Sequence, residues 1–408
     1  MKILMANKYF YLKGGSEYAF FDTVSLLNRH GHKTMFFSMI HPRNQKNEYD
    51  RYFVSNVDYE RLGPAGRIAA SMRIIYSFEA RRKMAALLDQ ERPDVAHLHN
   101  IYHQISPAII HSLKKMRVPI VMTLHDFKMV CPGYKLSLDG RQCGQCGQGR
   151  YHRCFVNACV KDSKAKSLIA AVEMYVHHNI MKIYDSVDVF IAPSVFLRDT
   201  LQNMGFRRKL VYLPNFIDVN AFTPHYGGDE DSVVYFGRLA AGKGLDTLID
   251  AMFMLPKIKL KIIGEGEEQE QLMSRILSMR MKNVEFKGYL SGNALHDQIK
   301  RARCVVLPAR QAENNPRSII EAFALGKPVI ATQAGGIAEM VKDRQTGLVC
   351  GSGDAMDLAR KIALLMDNTA LTHALGMNAR KLAEGKYSAE SHYQKLMDIY
   401  KDVTSRHG

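Results

Sequence analysis

Two stretches in the second half of the chain carry residue types suited to holding a diphosphate. In Val233-Val-Tyr-Phe-Gly237-Arg238-Leu-Ala-Ala-Gly242-Lys243-Gly244, an apolar run leads into glycines and two cations. Glycines let the backbone come close to an anion, and a following helix start turns N–H groups toward it. Arg238 and Lys243 add positive charge at the same strand end, which is what a departing diphosphate needs in the absence of a metal. Ile262-Ile-Gly264-Glu-Gly266 repeats the strand-then-glycine arrangement. A tight strand-to-helix turn would use the same glycines, but the adjacent cations favour phosphate binding.

The second stretch is Leu307-Pro-Ala-Arg-Gln-Ala-Glu313-Asn314-Asn315-Pro316-Arg-Ser-Ile-Ile-Glu321. Pro316 suits the first turn of a helix, so Glu313 falls in the preceding loop and Glu321 one to two turns into the helix. Glu321 precedes the apolar run Ala-Phe-Ala-Leu, and an acid at such a place usually has a partner. In the first half, His125 ends a strand in the context Leu-His125-Asp126, and His99 and Asn100 end another. A lone histidine at a strand end is more often structural than chemical.

Five of seven cysteines fall between 131 and 159. Cys143-Gly-Gln-Cys146 has zinc-knuckle spacing, with Cys131 before it and Cys154 and Cys159 after it. Cys131, Cys143, Cys146 and Cys154 would close a tetrahedral structural zinc site, with Cys159 as an alternative ligand. Reduced, unliganded thiols are the other reading. A disulfide framework does not suit a long cytoplasmic chain.

The elements that must position these residues alternate short β-rich runs with longer helical patterns. Strands are predicted at 2–5, 34–38, 94–99, 119–124 and 187–192, then at 210–213, 233–236, 260–263, 284–286, 304–307 and 329–331. Their apolar residues do not alternate, as expected of strands covered on both faces. This is an α/β chain of two Rossmann-like domains, 1–195 with the cysteine insert 131–159 and 205–385, followed by a helix over 386–408. That helix carries Tyr393, Leu396, Met397 and Tyr400 on one face, and is expected to pack back on the N-terminal domain.

The 408 residues are 47% apolar, enough for two sizeable cores. No apolar run approaches the ~18 residues of a membrane-spanning helix. The first residues read as a strand rather than a signal peptide, so the expected location is the cytoplasm. The formal charge is +16, concentrated in the first half, which suits an anionic partner. A basic helical pattern over 67–84, with Ile, Met, Tyr and Phe interleaved, could lie on anionic lipid or bury its apolar stripe in a domain core. The charge would also fit a nucleic-acid binder with a zinc insert, but no nucleic-acid module is recognisable and that class leaves the second half unexplained.

Gly-Arg…Lys-Gly followed by Glu-x7-Glu resembles the retaining, nucleotide-sugar-dependent glycosyltransferases of family 4. The likeness extends through Gly14-Gly15-Ser-Glu17, Leu-His125-Asp126, Pro214-Asn215-Phe-Ile-Asp218 and Gly335-Gly336-Ile-Ala-Glu339, essentially the whole chain. It implies the GT-B fold, with two domains facing across a cleft. It implies that Arg238 and Lys243 hold the donor diphosphate with help from Gly14, Gly15, Gly237 and Gly264. Glu321 would bind the ribose, and Glu313, Asn314, Asn315 and His125 would contact the donor sugar. Asn100 and Asp126 would lie on the acceptor side, with His99 beside Asn100 as a weaker candidate for acceptor contact. No catalytic cofactor is implied. The acceptor would be a glycan or lipid-linked, in bacterial surface polysaccharide synthesis, with peripheral contact to the inner membrane face and no nucleic acid. Phe216 departs from the family's usual glycine after Pro-Asn, which argues against a ligand for Asn215. A sugar-nucleotide epimerase on the same fold is the rival enzyme, disfavoured by the order of Arg238, Lys243, Glu313 and Glu321.

Overall fold

The computed structural model describes residues 1–56, 72–138, 141–228 and 230–407. They form two compact units. One is built from the chain up to Leu138, Cys143–Pro214 and the residues from His392 onward; the other is built from Asn215–Ser391.

The first unit holds a six-stranded sheet of β1 (Lys2–Ala6), β2 (Lys33–Phe37), β3 (Val95–Leu98), β4 (Ile120–Thr123), β5 (Val189–Ala192) and β6 (Leu210–Tyr212). The order is β2-β1-β3-β4-β5-β6 and every pairing is parallel. β3, β4 and β5 are buried along their whole length, which is why their sequences lack alternation. The sequence grouped the strand at 210 with the later series. Its pairing of Leu210 with Phe190 places it instead at the edge of the first sheet, and this unit runs on to Pro214.

The helix Ala389–Ser405 returns to this unit and buries Leu396, Met397, Tyr400 and Val403 in its core. These positions repeat at helical spacing on one face. The basic helix expected over 67–84 is only partly described, since residues 57–71 lie outside the described residues. The chain is helical over 72–75, and a new helix, Phe78–Glu91, starts where the Ser77 hydroxyl accepts from the Ala80 N–H. The continuous helix is therefore replaced by two, divided by this serine cap.

The second unit has β7 (Ser232–Phe236), β8 (Lys259–Ile263), β9 (Val284–Phe286), β10 (Cys304–Leu307), β11 (Val329–Ala331) and β12 (Gly347–Val349). They lie in the parallel order β9-β8-β7-β10-β11-β12. β12 was not anticipated from sequence.

Strand order reverses beside β1 in the first sheet and beside β7 in the second. The loops leaving β1 and β3, and those leaving β7 and β10, diverge at these points. In open parallel sheets, ligands bind at the carboxyl ends of strands where this happens.

Candidate functional site

In the second unit, Gly237 and Arg238 directly follow β7, and Glu313, Asn314 and Asn315 lie between β10 and the helix Arg317–Ala324. Because β7 and β10 are neighbours, residues seventy apart in sequence meet. Lys243 Nζ stands 2.6 Å from Glu313 Oε1, both side chains about one-fifth exposed. Arg238 is exposed and has no ion pair among the described residues. Close approach of the loops depends on glycine. A Cβ on Gly244 (φ +73°) would stand 1.9 Å from the Pro308 carbonyl oxygen, and one on Gly264 (φ +134°) 2.0 Å from that of Gly237. Packing of loop on loop therefore accounts for the small residues here.

Glu321 has the partner its setting required. Arg317, one turn earlier, donates from Nε to Glu321 Oε1 at 2.6 Å, an interaction the sequence reading missed although the i, i+4 spacing signals it. Asn315 is buried, and its side chain is used within the chain. Its Oδ1 accepts from the Asn215 N–H at 3.0 Å, and Asn215 Nδ2 donates to the Asn315 carbonyl at 3.0 Å. The Asn315 side chain thus fastens the chain near Pro214 to the β10 loop.

In the first unit, Gly14 is extended and precedes the helix Gly15–Arg29, and a Cβ on Gly15 would meet nothing within 4 Å. Glu17 in the first turn is buried, its carboxyl pKa raised by that burial, and it accepts from the Ser16 hydroxyl. Lys13 Nζ donates to the Tyr9 hydroxyl at 2.8 Å, and Arg43 lies 4.8 Å over the Tyr11 ring, which stacks on His41. Lys8, Lys13 and Arg43 form no ion pair among the described residues, and the buried Glu17 carboxylate feels the charge of Lys13, so the end of β1 carries a cluster of positive charge with one acid beside it.

His125 follows β4 and His99 follows β3. His99 was named with Asn100 for acceptor contact, but it is only 2% exposed and stands behind His125. Its Nδ1 is 2.9 Å from His125 Nε2, with the rings stacked at 5.2 Å. His99 Nε2 is buried with no hydrogen-bond partner. A bare lone pair there costs less than an orphaned N–H, so His99 carries its proton on Nδ1 and donates to His125. His125 then carries its own proton on Nδ1, as a donor for a ligand. Burial holds His125 at a pKa of about 4 and drives His99 well below the ordinary value, so both are neutral near pH 7. Behind them, His97 bonds the Tyr400 hydroxyl and the Thr123 hydroxyl, each at 2.7 Å.

Asp126 turns its Oδ1 back to accept from the Lys128 N–H at 2.8 Å. Asn100 is tied by its backbone to the β1 loop, its carbonyl accepting from the Lys8 N–H. Lys128 is buried and donates to Glu173 Oε2 at 2.8 Å, with His103 and His177 nearby. Burial alone would raise the Glu173 pKa, but Lys128 and these histidines outweigh it and keep the carboxylate ionised. This pair pins the chain just after His125 to the helix Lys164–Tyr175.

Cys131, Cys143, Cys146, Cys154 and Cys159 line a single cavity in the first unit, none of them in a disulfide. Burial pushes Cys146 and Cys154 up to about 12, which argues against a nucleophilic role. Among the described residues, no three thiols, imidazoles or carboxylates are already gathered to hold a metal ion.

Residues 13–221 match the family described as Glycosyltransferase Family 4, and residues 221–382 match Glycosyl transferases group 1. An uncharacterized glycosyltransferase of Methanocaldococcus jannaschii is 23% identical over 405 residues, 99% of each chain. Sucrose-phosphate synthase from Thermosynechococcus elongatus has a TM-score of 0.74 at 18% identity, covering 99% of both chains. Anabaena HepE, solved in complex with UDP and glucose, has a TM-score of 0.69 at 19% identity, covering 99% of this chain and 100% of its own. At such identities the structural likeness is one of fold, and that fold is GT-B. With the family match running over more than half its length, the chain belongs to glycosyltransferase family 4 and is a glycosyltransferase.

Proposed function

We propose that the chain transfers a sugar from a nucleoside-diphosphate donor to a glycan or lipid-linked acceptor, with retention of anomeric configuration. The observation that carries this reading is the Lys243–Glu313 pair beside unpaired Arg238, at the strand reversal of the second sheet. Two cations there offset the charge that grows on the leaving diphosphate, and no cofactor is needed for that step. Glu321, held by Arg317, takes the ribose hydroxyls. Glu313, with the Asn314–Asn315 backbone, faces the donor sugar. His125, in the first unit, offers its Nδ1 proton to a sugar hydroxyl. The leaving phosphate oxygen accepts the proton of the acceptor hydroxyl as the new bond forms on the same face.

Lys8, Lys13 and Arg43 suit an acceptor that bears phosphate, as a lipid-linked oligosaccharide does. No helix among the described residues is long and apolar enough to cross a membrane. Phe78 is 75% exposed, and Arg81 and Arg82 follow it. That combination suits peripheral contact with anionic lipid, in the cytoplasm at the inner face of the membrane and in the service of surface polysaccharide synthesis.

The test is a thermal-shift screen against UDP, GDP, ADP and their sugar conjugates, followed by NMR of the anomeric proton in the product. A ligand at about a hundredfold over Kd adds about 2.7 kcal/mol of stability. One nucleotide should raise Tm selectively, the shift should disappear in Glu321→Ala, and the product should keep the donor's anomeric configuration. No shift with any nucleotide, or an inverted product, would refute the proposal.

A further inference from the structure

The segment from Cys131 to Lys164 has too little apolar material to hold itself. Of its own side chains only Cys146, Tyr151 and Cys154 form a buried cluster, and they do so with Ala171 and Met174 of the helix that follows, while Leu136 alone is buried in the main core of the first unit. Its regular structure is a 3-10 turn, Gly147–Gly149, one short α-helix, His152–Val156, and a two-residue strand pair. Yet its backbone is tightly bent. Tyr134, Leu136, Gln148, Ala158, Lys161 and Asp162 all have φ between +51° and +56°, a conformation non-glycine residues hold only where the surroundings impose it. A small, strained segment with almost no core needs a covalent or coordinate staple.

The five thiols supply the donors. Cys131, Cys143, Cys146, Cys154 and Cys159 come from four turns of the chain and border one cavity, with Lys135 on its wall. Three of them are partly exposed, while Cys146 and Cys154 are buried. None of the five is in a disulfide, and a bound ion would draw four of the sulfurs around itself. Residues 131–164 carry six Lys and Arg against two Asp, a surplus that would offset the net negative charge of a cation bound by four thiolates.

We propose that this insert is a structural zinc site. Zn²⁺ is bound by Cys143, Cys146 and Cys154, with the fourth position filled by Cys131 or Cys159. Four thiolates give tetrahedral closure at about 2.3 Å per Zn–S bond, with no position left for a substrate. Each ligating thiol releases its proton to solvent on binding. The fifth cysteine remains a free thiol. The site's role is to hold the chain that follows His125 and Asp126, so zinc acts on stability and on the shape of this loop rather than on the transfer step.

The test begins with the full chain purified in reductant without chelator. Its metal content is measured by inductively coupled plasma mass spectrometry, and its thiols are counted by iodoacetamide labelling with mass mapping. The expected result is about one zinc per chain, with four of the five insert cysteines protected until a strong chelator is added. Cys146→Ala and Cys154→Ala should lose the metal, while Cys350→Ala in the second unit should keep it. If those two variants are insoluble, the chelator-dependent labelling of wild type decides alone. Less than about a tenth of an equivalent of zinc after zinc is offered to reduced protein would overturn the proposal. So would labelling indifferent to chelator, disulfides among the five, or iron and sulfide in place of zinc.

Discussion

Lys243 Nζ and Glu313 Oε1 form a 2.6 Å ion pair that ties the loop after β7 to the loop after β10. The cation proposed for the diphosphate is thus already held by the carboxylate proposed for the sugar. Donor binding has to share or exchange this contact. The pair restrains both side chains before any donor arrives, which lowers the reorganisation needed at the reaction.

Replacing Glu313 by Gln keeps the shape and removes the competing charge. UDP, which lacks the sugar, should bind Glu313→Gln up to about fivefold more tightly, the scale of a partly exposed ion pair. Turnover should fall by about a hundredfold, as should that of Arg238→Ala and Lys243→Ala. Isothermal titration and initial rates on folded protein read the two effects separately. Wild-type turnover in Arg238→Ala would remove the phosphate assignment.

His99 acts on His125 by fixing which nitrogen carries the proton. His99→Phe fills the space and removes the bond, so His125 is free to take either tautomer. We expect kcat to fall about tenfold with donor KM little changed, and His99→Asn, whose side-chain amide can still donate, to recover part of the loss. Equal kinetics for His99→Phe and wild type would show that His125 needs no such support.

The buried Lys128–Glu173 pair should be costly to break on one side. Glu173→Gln leaves Lys128 without its counter-charge, and we expect a loss of about 3–5 kcal/mol in urea unfolding. The double variant Lys128→Met with Glu173→Leu should recover most of it. A double variant as unstable as the single one would mean that the shape of this network, rather than its charge, is what the fold needs.

Acid should weaken the protein early. Burial holds His97 near 3, His125 and His392 near 4 and His178 near 3, with neighbouring charges adding to the shift in all but His125. The unfolded chain protonates these histidines near 6.5. Their contribution is therefore complete above about pH 6.5 and is lost as pH falls toward 4, at up to about 1.4 kcal/mol per pH unit for each. Glu173, whose folded pKa is lowered, adds a further loss below about 4.5. Tm measured from pH 8 to 5 should decline from about 6.5 downward. A flat profile to pH 5 would contradict this.

Much of the fold was legible in the chain. Every expected strand forms within two residues of its expected ends, because buried parallel strands leave unbroken apolar runs. β12 escaped because Gly347-Leu-Val opens on a glycine and sits between turn residues, with no apolar run to mark it. The division of the basic helix at Ser77 escaped because the apolar and basic pattern continues across it and only the cap hydrogen bond ends it. The site was legible as residue types and spacings but not as pairs. Lys243 meets Glu313 only because β7 lies beside β10, and His99 meets His125 only because β3 lies beside β4. Sequence spacing does not state which strands are neighbours, and His99 looked like a ligand contact for that reason.

The helix Ala389–Ser405 completes the core of a unit whose sheet was synthesised some two hundred residues earlier, and Tyr400 reaches His97 behind His125. The order of synthesis and the order of completion are therefore reversed. As the chain leaves the ribosome, the second unit has all its strands while the first still lacks a wall. A ribosome stalled near residue 385 would leave β1–β6 with an apolar gap where Leu396, Tyr400 and Val403 belong, a surface for chaperones to recognise. Completion of the core behind His97 and His99 thus waits on the seventeen-residue helix Ala389–Ser405, so translation itself influences when that half becomes fully packed.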